Sequence, residues 1–112
     1  MSDYEIDRER WAQLSVIEMM ANIGSEVGRA IIAHRAGIQV REDRAVNRAI
    51  DLFAATTESL VHTRHAHNLK EVLRSRDEFL RLFFDDTFED DAENIERYFA
   101  NISYFARYQS GR

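Results

Sequence analysis

The 112-residue chain is long enough for one hydrophobic core and too short for two, so we predict a single domain over residues 1–112. Hydrophobic residues make up 45% of the sequence and charged residues 31%, a balance that favours folding over disorder. The net charge of -5 disfavours nonspecific DNA binding, and the absence of cysteine excludes disulfides and thiolate metal ligands.

Proline is absent and glycine occurs only four times, so the residues that shape hairpin turns are scarce and helices are favoured. The sequence also lacks an apolar run long enough to span a membrane, and its charged start, MSDYEIDRER, does not resemble an export signal. We therefore expect an all-α, cytoplasmic protein that does not bind a membrane.

Four segments carry apolar residues at helical spacing. The first runs from about Ile6 to Ala36 and is followed by Gly37, a residue suited to end a helix. The second runs from about Asp43 to Thr63, the third from Asn68, as its cap, to about Asp85, and the fourth from about Ala92 to Tyr108. Short connections between amphipathic helices predict a four-helix up-and-down antiparallel bundle.

The first predicted helix carries three small residues on its inward side, Ala21, Gly24 and Gly28. A glycine inside a helix costs about 1 kcal/mol relative to alanine, so close packing against a neighbouring helix or a dimer partner is the expected compensation. Approach of a ligand to the bare backbone is the alternative. We treat these three residues as a candidate close-packing seam.

Two groups of polar residues are candidates for a pocket or an interface. Asn22, Glu26 and Arg29 form a stripe beside the seam, which lines a pocket if another helix covers it and is otherwise an ordinary solvated face. Arg76 lies in the apolar arc of the third predicted helix, where a guanidinium needs a partner, and Glu26 is the candidate. The alternative is that the Arg76 side chain reaches solvent at the edge of the bundle.

Aromatic residues near the two ends of the chain fall on different sides of their helices. Phe105 falls on the inward arc of the fourth predicted helix, whereas Tyr104 and Tyr108 fall outside it, as Trp11 does on the first. Tyrosine and tryptophan outside the buried arc are enriched at interfaces, although scattered exposed aromatics are also normal. Tyr104 is therefore a candidate interface residue.

A cluster of histidines follows the second predicted helix. His62, His65 and His67 lie close to Glu58 in the sequence, which superficially resembles a metal site. However, the histidines point in divergent directions on a helix, and the paired Glu-x-x-His motifs of di-iron bundles are absent. We predict polar loop histidines, with no metal and no cofactor.

Arg29 and His34 match the Arg-x4–6-His pattern of the HEPN ribonuclease superfamily, whose members are small helical bundles that often dimerise. A match this short is expected by chance in an arginine-rich chain. On a continuous helix the two side chains are also about 140° apart and do not converge. The pattern therefore supports only an alternative function.

Several segments resemble those of a family of small, uncharacterised prokaryotic helical proteins. The resemblance implies a compact helical domain and carries over no activity or site residue. The segments are ANIGSEVGRA at 21–30, RAIDL at 48–52, LKEVLRSRD at 69–77 and YFANISYFAR at 98–107.

These observations favour a helical interaction module over an enzyme. We expect a homo-oligomer, with a dimer as the simplest form, or a second protein as the partner. Two other classes remain open: an HEPN-like ribonuclease or toxin–antitoxin component, and a small-ligand or metal-binding helical bundle.

Overall fold

The computed structural model describes residues 5–61, 63 and 65–110 and is all-α over these segments. The described residues form five α-helices, one more than predicted, and a single 3-10 turn at Ala66–Asn68. None of the described helices combines the length and the apolar character needed to cross a membrane. The helices are α1 (Arg8–Trp11), α2 (Val16–Ala36), α3 (Gln39–Leu60), α4 (Leu69–Phe84) and α5 (Phe88–Ser110).

The prediction of one continuous first helix from Ile6 to Ala36 is wrong, because the chain turns between α1 and α2. Ser15 begins α2 with a reciprocal cap: its Oγ accepts from the Glu18 backbone N–H at 3.1 Å, and its own N–H donates to Glu18 Oε1 at 2.8 Å. Such a cap satisfies two backbone donors and fixes the start of a helix. The Ser-x-x-Glu spacing that encodes it is visible in the sequence.

The placement of Trp11 outside the buried arc is also corrected by the structure. Trp11 ends α1 and is only 9% exposed, because the turn after it lays the indole against α3. Its Nε1–H donates to Thr56 Oγ1 at 3.0 Å, and the Thr56 hydroxyl donates in turn to the Leu52 carbonyl at 2.8 Å. Trp11 therefore fastens α1 to the core.

The remaining boundaries follow local chemistry. Gly37 ends α2 as predicted, with a left-handed φ of 71° and its N–H donated to carbonyls of the last turn. Helix α5 begins at Phe88 and not at Ala92, so the acidic residues 89–91 lie in its first turn, where the helix dipole favours negative charge. Asn68 precedes α4 but, contrary to the prediction, its side chain makes no cap hydrogen bond.

Each of the four longer helices packs mainly against two of the other three. Helix α2 packs on α3 and α5, and α4 packs on the same two helices, while α1 packs on α3. The centre of the core is aromatic and aliphatic: Phe53 and Phe79 are fully buried with ring centroids 6.1 Å apart, and Ile23 and Ile31 are equally buried.

Candidate functional site

Of the two glycines in the small-residue seam of α2, only Gly24 is in close contact with α5. A Cβ added at Gly24 would lie 3.1 Å from both Cβ and Cδ1 of Phe99, whereas a Cβ added at Gly28 would meet nothing within 4 Å. Ala21 is half-buried. Gly24 is therefore needed for the approach of α2 to α5 within the chain, and Gly28 is not.

The polar residues of the α2 stripe make hydrogen bonds within their own helix. Asn22 is exposed and donates to the Glu18 carbonyl at 2.8 Å. Glu26 is buried and its Oε2 accepts from Arg29 Nη1 at 3.0 Å, while the Arg29 side chain remains 63% exposed. Within the described part of the chain, Glu26 Oε1 has no hydrogen-bond partner. The stripe is a helix face with one internal ion pair.

Arg76 pairs with its neighbour and not with Glu26. Its Nη2 lies 3.1 Å from Asp77 Oδ1, and its side chain is 39% exposed, so the guanidinium reaches solvent at the edge of the fold. The buried position of this turn belongs to Ser75, whose hydroxyl donates to the Val72 carbonyl at 2.9 Å. Arg76 and the α2 stripe therefore do not converge.

The histidines that follow α3 are separated. His65 and His67 are exposed, with ring centroids 6.3 Å apart, and the predicted third member, His62, lies outside the described residues. Among the residues that the structure describes, no three histidine or acidic side chains are grouped as a metal site requires.

His34 contacts three other helices at one end of the fold. Its Nδ1 lies 2.8 Å from Glu42 Oε1 on α3, and its ring stacks on Phe88 of α5 at a centroid distance of 3.8 Å. Phe83 of α4 meets the same ring edge-on at 5.8 Å. One imidazole thus touches three other helices. Because Arg29 has a different partner, the structure does not bring Arg29 and His34 together.

The opposite end of the fold carries a cluster of exposed aromatic side chains, Tyr104, Phe105 and Tyr108, which we call the aromatic cluster. Their exposed fractions are 59%, 55% and 66%. The Tyr104 ring lies 6.1 Å from Phe105 and 6.3 Å from Tyr108, nearly parallel to the latter. The exposure of Tyr104 and Tyr108 agrees with their placement outside the inward arc, but the prediction that Phe105 is buried is wrong.

The aromatic cluster is exposed because α5 is longer than the helix beside it. Tyr98 of α5 meets Glu71 in the first turn of α4, with 2.6 Å between Tyr98 Oη and Glu71 Oε2. From that level α5 continues to Ser110, about 18 Å, whereas α4 extends only back to Leu69, about 3 Å. The last turns of α5 therefore project beyond the start of α4.

A groove of about 270 Å³ lies beside the aromatic cluster, between α2, α4 and α5; we call it the apolar groove. Asn68, Glu71 and Tyr98 supply polar atoms to it. Its apolar wall consists of Val16, Ile17, Met20, Val72 and Ile102.

A hydrogen-bonded network holds one wall of the apolar groove. Arg74 donates to both oxygens of Glu71, at 3.0 Å from Nε and 2.6 Å from Nη2, and it also pairs with Glu78. The Arg74 guanidinium carbon lies 5.6 Å from the centre of the Tyr98 ring. These contacts fix the Tyr98 ring at the groove. Because they engage both oxygens of the Glu71 carboxylate, that carboxylate is not available as a base.

The same network shifts the pKa values of its members. The hydrogen bonds from Arg74 lower the pKa of Glu71 despite partial desolvation, and burial beside Glu71 raises the pKa of Tyr98. The Glu71 carboxylate raises the pKa of Arg74. Glu71 is therefore ionised and Tyr98 is a neutral hydrogen-bond donor at physiological pH, which suits a structural role more than proton transfer.

Sequence reasoning identified Tyr104 but missed Phe105 and the apolar groove. The groove depends on where three helices begin relative to one another. The sequence carries no signal for it, because the third and fourth predicted segments are about equally long. None of the family models, curated proteins or solved structures compared with the chain matches it.

Proposed function

We propose that this protein is a helical interaction module that self-associates, and that the aromatic cluster is its contact surface. The observation that supports the proposal is the exposure of three adjacent aromatic side chains at one end of α5. Exposed apolar patches of about 300–600 Å² are the largest found on typical monomers, and they are often functional.

The area of the aromatic cluster is of the right size for an interface core. With the observed exposures, three aromatic side chains present about 350 Å² of accessible surface. A standard interface buries about 800 Å² on each partner, so the cluster provides a little under half of that requirement. The adjoining apolar groove and the polar residues around it supply a rim.

A second copy of this chain is the partner that we propose. In a twofold dimer the same surface is used on both molecules, so each cluster is buried together with its symmetry mate and one set of three residues contributes twice. Tyrosine and phenylalanine side chains bury a large surface area at such a contact and lose little conformational entropy. The tyrosine hydroxyls can hydrogen-bond to water at the edge of the contact.

We further propose that the four longer helices form an up-and-down antiparallel bundle to which α1 is added. The order of packing supports this topology: α2 on α3, α3 on α4, α4 on α5, and α5 back on α2. In such a bundle the end at which α5 projects is open, and it presents the aromatic cluster to a partner.

Sedimentation velocity over a range of micromolar concentrations tests the proposal. We expect the wild-type chain to be a dimer and Phe105→Ala to raise the dissociation constant at least about 100-fold, as removal of a central interface aromatic does. Phe84→Ala is the matched control, because Phe84 is 68% exposed on the last turn of α4, away from the cluster. A monomeric wild-type chain, or equal effects of the two variants, would overturn the proposal.

A further inference from the structure

The apolar groove and the aromatic cluster share one stretch of α5. Ile102 lines the groove, and Phe105 follows it by one helical turn on the projecting part of the helix. An apolar cavity and an exposed apolar ring therefore lie side by side on the same end of the molecule. A cavity and a projection on one surface are the two features that a contact between two copies across a twofold axis requires.

Resting on the proposed self-association, we propose that the apolar groove of one copy receives the Phe105 ring of a second copy. The volume fits, since a cavity of about 150 Å³ with apolar walls already takes up benzene, and the groove measures about 270 Å³. Phenylalanine has no polar atom that needs a partner, so its ring enters an apolar site without a hydrogen-bonding penalty.

A twofold axis near Ile102 makes the exchange mutual. Each copy then donates one Phe105 ring and accepts one, which buries both clusters in a closed dimer and leaves no open end for further addition. Tyr104 lies beside the inserted ring and Tyr108 stacks on Tyr104, with both hydroxyl groups at the wet edge. The network of Glu71, Arg74 and Tyr98 keeps the receiving wall in place.

A substitution in the groove distinguishes this contact from one in which the aromatic clusters of the two copies simply stack on each other. Ile17→Glu places a carboxylate in the groove wall, and it lies in the first turn of α2, where an acidic side chain is compatible with the helix. Val40→Glu is the matched control: Val40 is also the second residue of its helix and is 67% exposed, but it lies outside the groove.

The expected effects follow from two equivalent contacts per dimer. Loss of an aromatic hot spot raises the dissociation constant about 30-fold per contact. Ile17→Glu and Phe105→Ala each remove both contacts, so each raises the dissociation constant of the dimer about 1,000-fold. Val40→Glu leaves the dissociation constant within about twofold, as expected for a residue outside the contact.

Mixing the two defective chains provides the decisive measurement. The Ile17→Glu chain retains its ring and the Phe105→Ala chain retains its groove, so their heterodimer recovers one contact and about 30-fold in affinity over either homodimer. Sedimentation of the equimolar mixture, with one chain fluorescently labelled, reports the heterodimer.

Each result decides between the two proposals. Heterodimer formation from two monomeric variants supports the ring-in-groove contact. A dimeric Ile17→Glu chain beside a monomeric Phe105→Ala chain, or two monomeric variants that fail to combine, overturns the contact while leaving the self-association proposal intact. A monomeric wild-type chain overturns both. If circular dichroism shows that Ile17→Glu is unfolded, Val16→Glu, at the first residue of α2 and in the same wall, replaces it.

Discussion

Replacing Thr56 with valine is expected to destabilise the fold by about 1–3 kcal/mol, because it leaves the buried indole N–H of Trp11 without an acceptor. The hydrogen bond from Trp11 Nε1 to Thr56 Oγ1 is 3.0 Å long, and the two residues are 9% and 0% exposed. Valine preserves the branched shape of threonine, so little cavity forms. The Leu52 carbonyl loses only the side-chain donor that it shared with the helix backbone.

A double-mutant cycle isolates the hydrogen bond from the lost packing. Trp11→Phe removes the same bond together with part of the apolar contact. We expect it to lower the free energy of unfolding less in the Thr56→Val background than in the wild type. We expect a coupling free energy of about 0.5–1.5 kcal/mol, the net value of a buried neutral hydrogen bond. For a chain of 112 residues, each kcal/mol corresponds to about 3–6 °C in the melting temperature.

Urea denaturation followed by circular dichroism measures the four free energies, at one fixed protein concentration because dimerisation contributes to stability. The neighbouring Thr57→Val is the control. Within the described part of the chain, the buried Thr57 Oγ1 has no hydrogen-bond partner, so its removal should be neutral or stabilising by up to about 1 kcal/mol. Equal effects of the two threonine substitutions, or a coupling energy of zero, would refute the reasoning.

Two further predictions concern the groove end and the seam. Gly28→Ala should stabilise the fold by about 0.5–1 kcal/mol in urea denaturation, because alanine favours the helix and the added Cβ meets nothing within 4 Å. Gly24→Ala should show less gain or a loss, since its Cβ would press on Phe99 at 3.1 Å, and an equal gain at both glycines would contradict this account. The pKa of Glu71 is lower in the folded chain than its ordinary value because of Arg74, so its contribution to stability is present at neutral pH and lost as the pH falls through the folded-state pKa. Glu71→Gln should therefore lower the urea midpoint at neutral pH and have little effect in strong acid; a difference that persists in acid would count against it.

The helical content could be predicted from the sequence because it depends on local periodicity. Apolar residues recur at helical spacing in every long segment, and Gly37 supplies the left-handed residue that ends α2. The break before Ser15 was missed because the apolar pattern continues through it, so the capping box was the only signal. Trp11 was misplaced for the same reason: its direction was inferred from a helix that ends at that residue.

The candidate site could be predicted only in part, because exposure at a helix end depends on the neighbouring helices. The face of α5 that carries Ile102 is half-buried where α2 lies beside it, while Phe105, one turn later, is exposed. No local pattern distinguishes these two residues. Arg76 illustrates the same limit, since its apolar neighbours in the sequence do not reveal that Ser75 takes the buried position.

The contact of His34 with three other helices affects which parts of the fold open locally. At that end of the fold, the His34 ring contacts Glu42, Phe83 and Phe88. A helix there therefore cannot separate without breaking contacts with the others. At the projecting end of α5, the described aromatic rings contact one another within the same helix. Native-state amide exchange should therefore be slow around His34 and fast in the last turns of α5, and a bound second copy should slow exchange selectively in those turns.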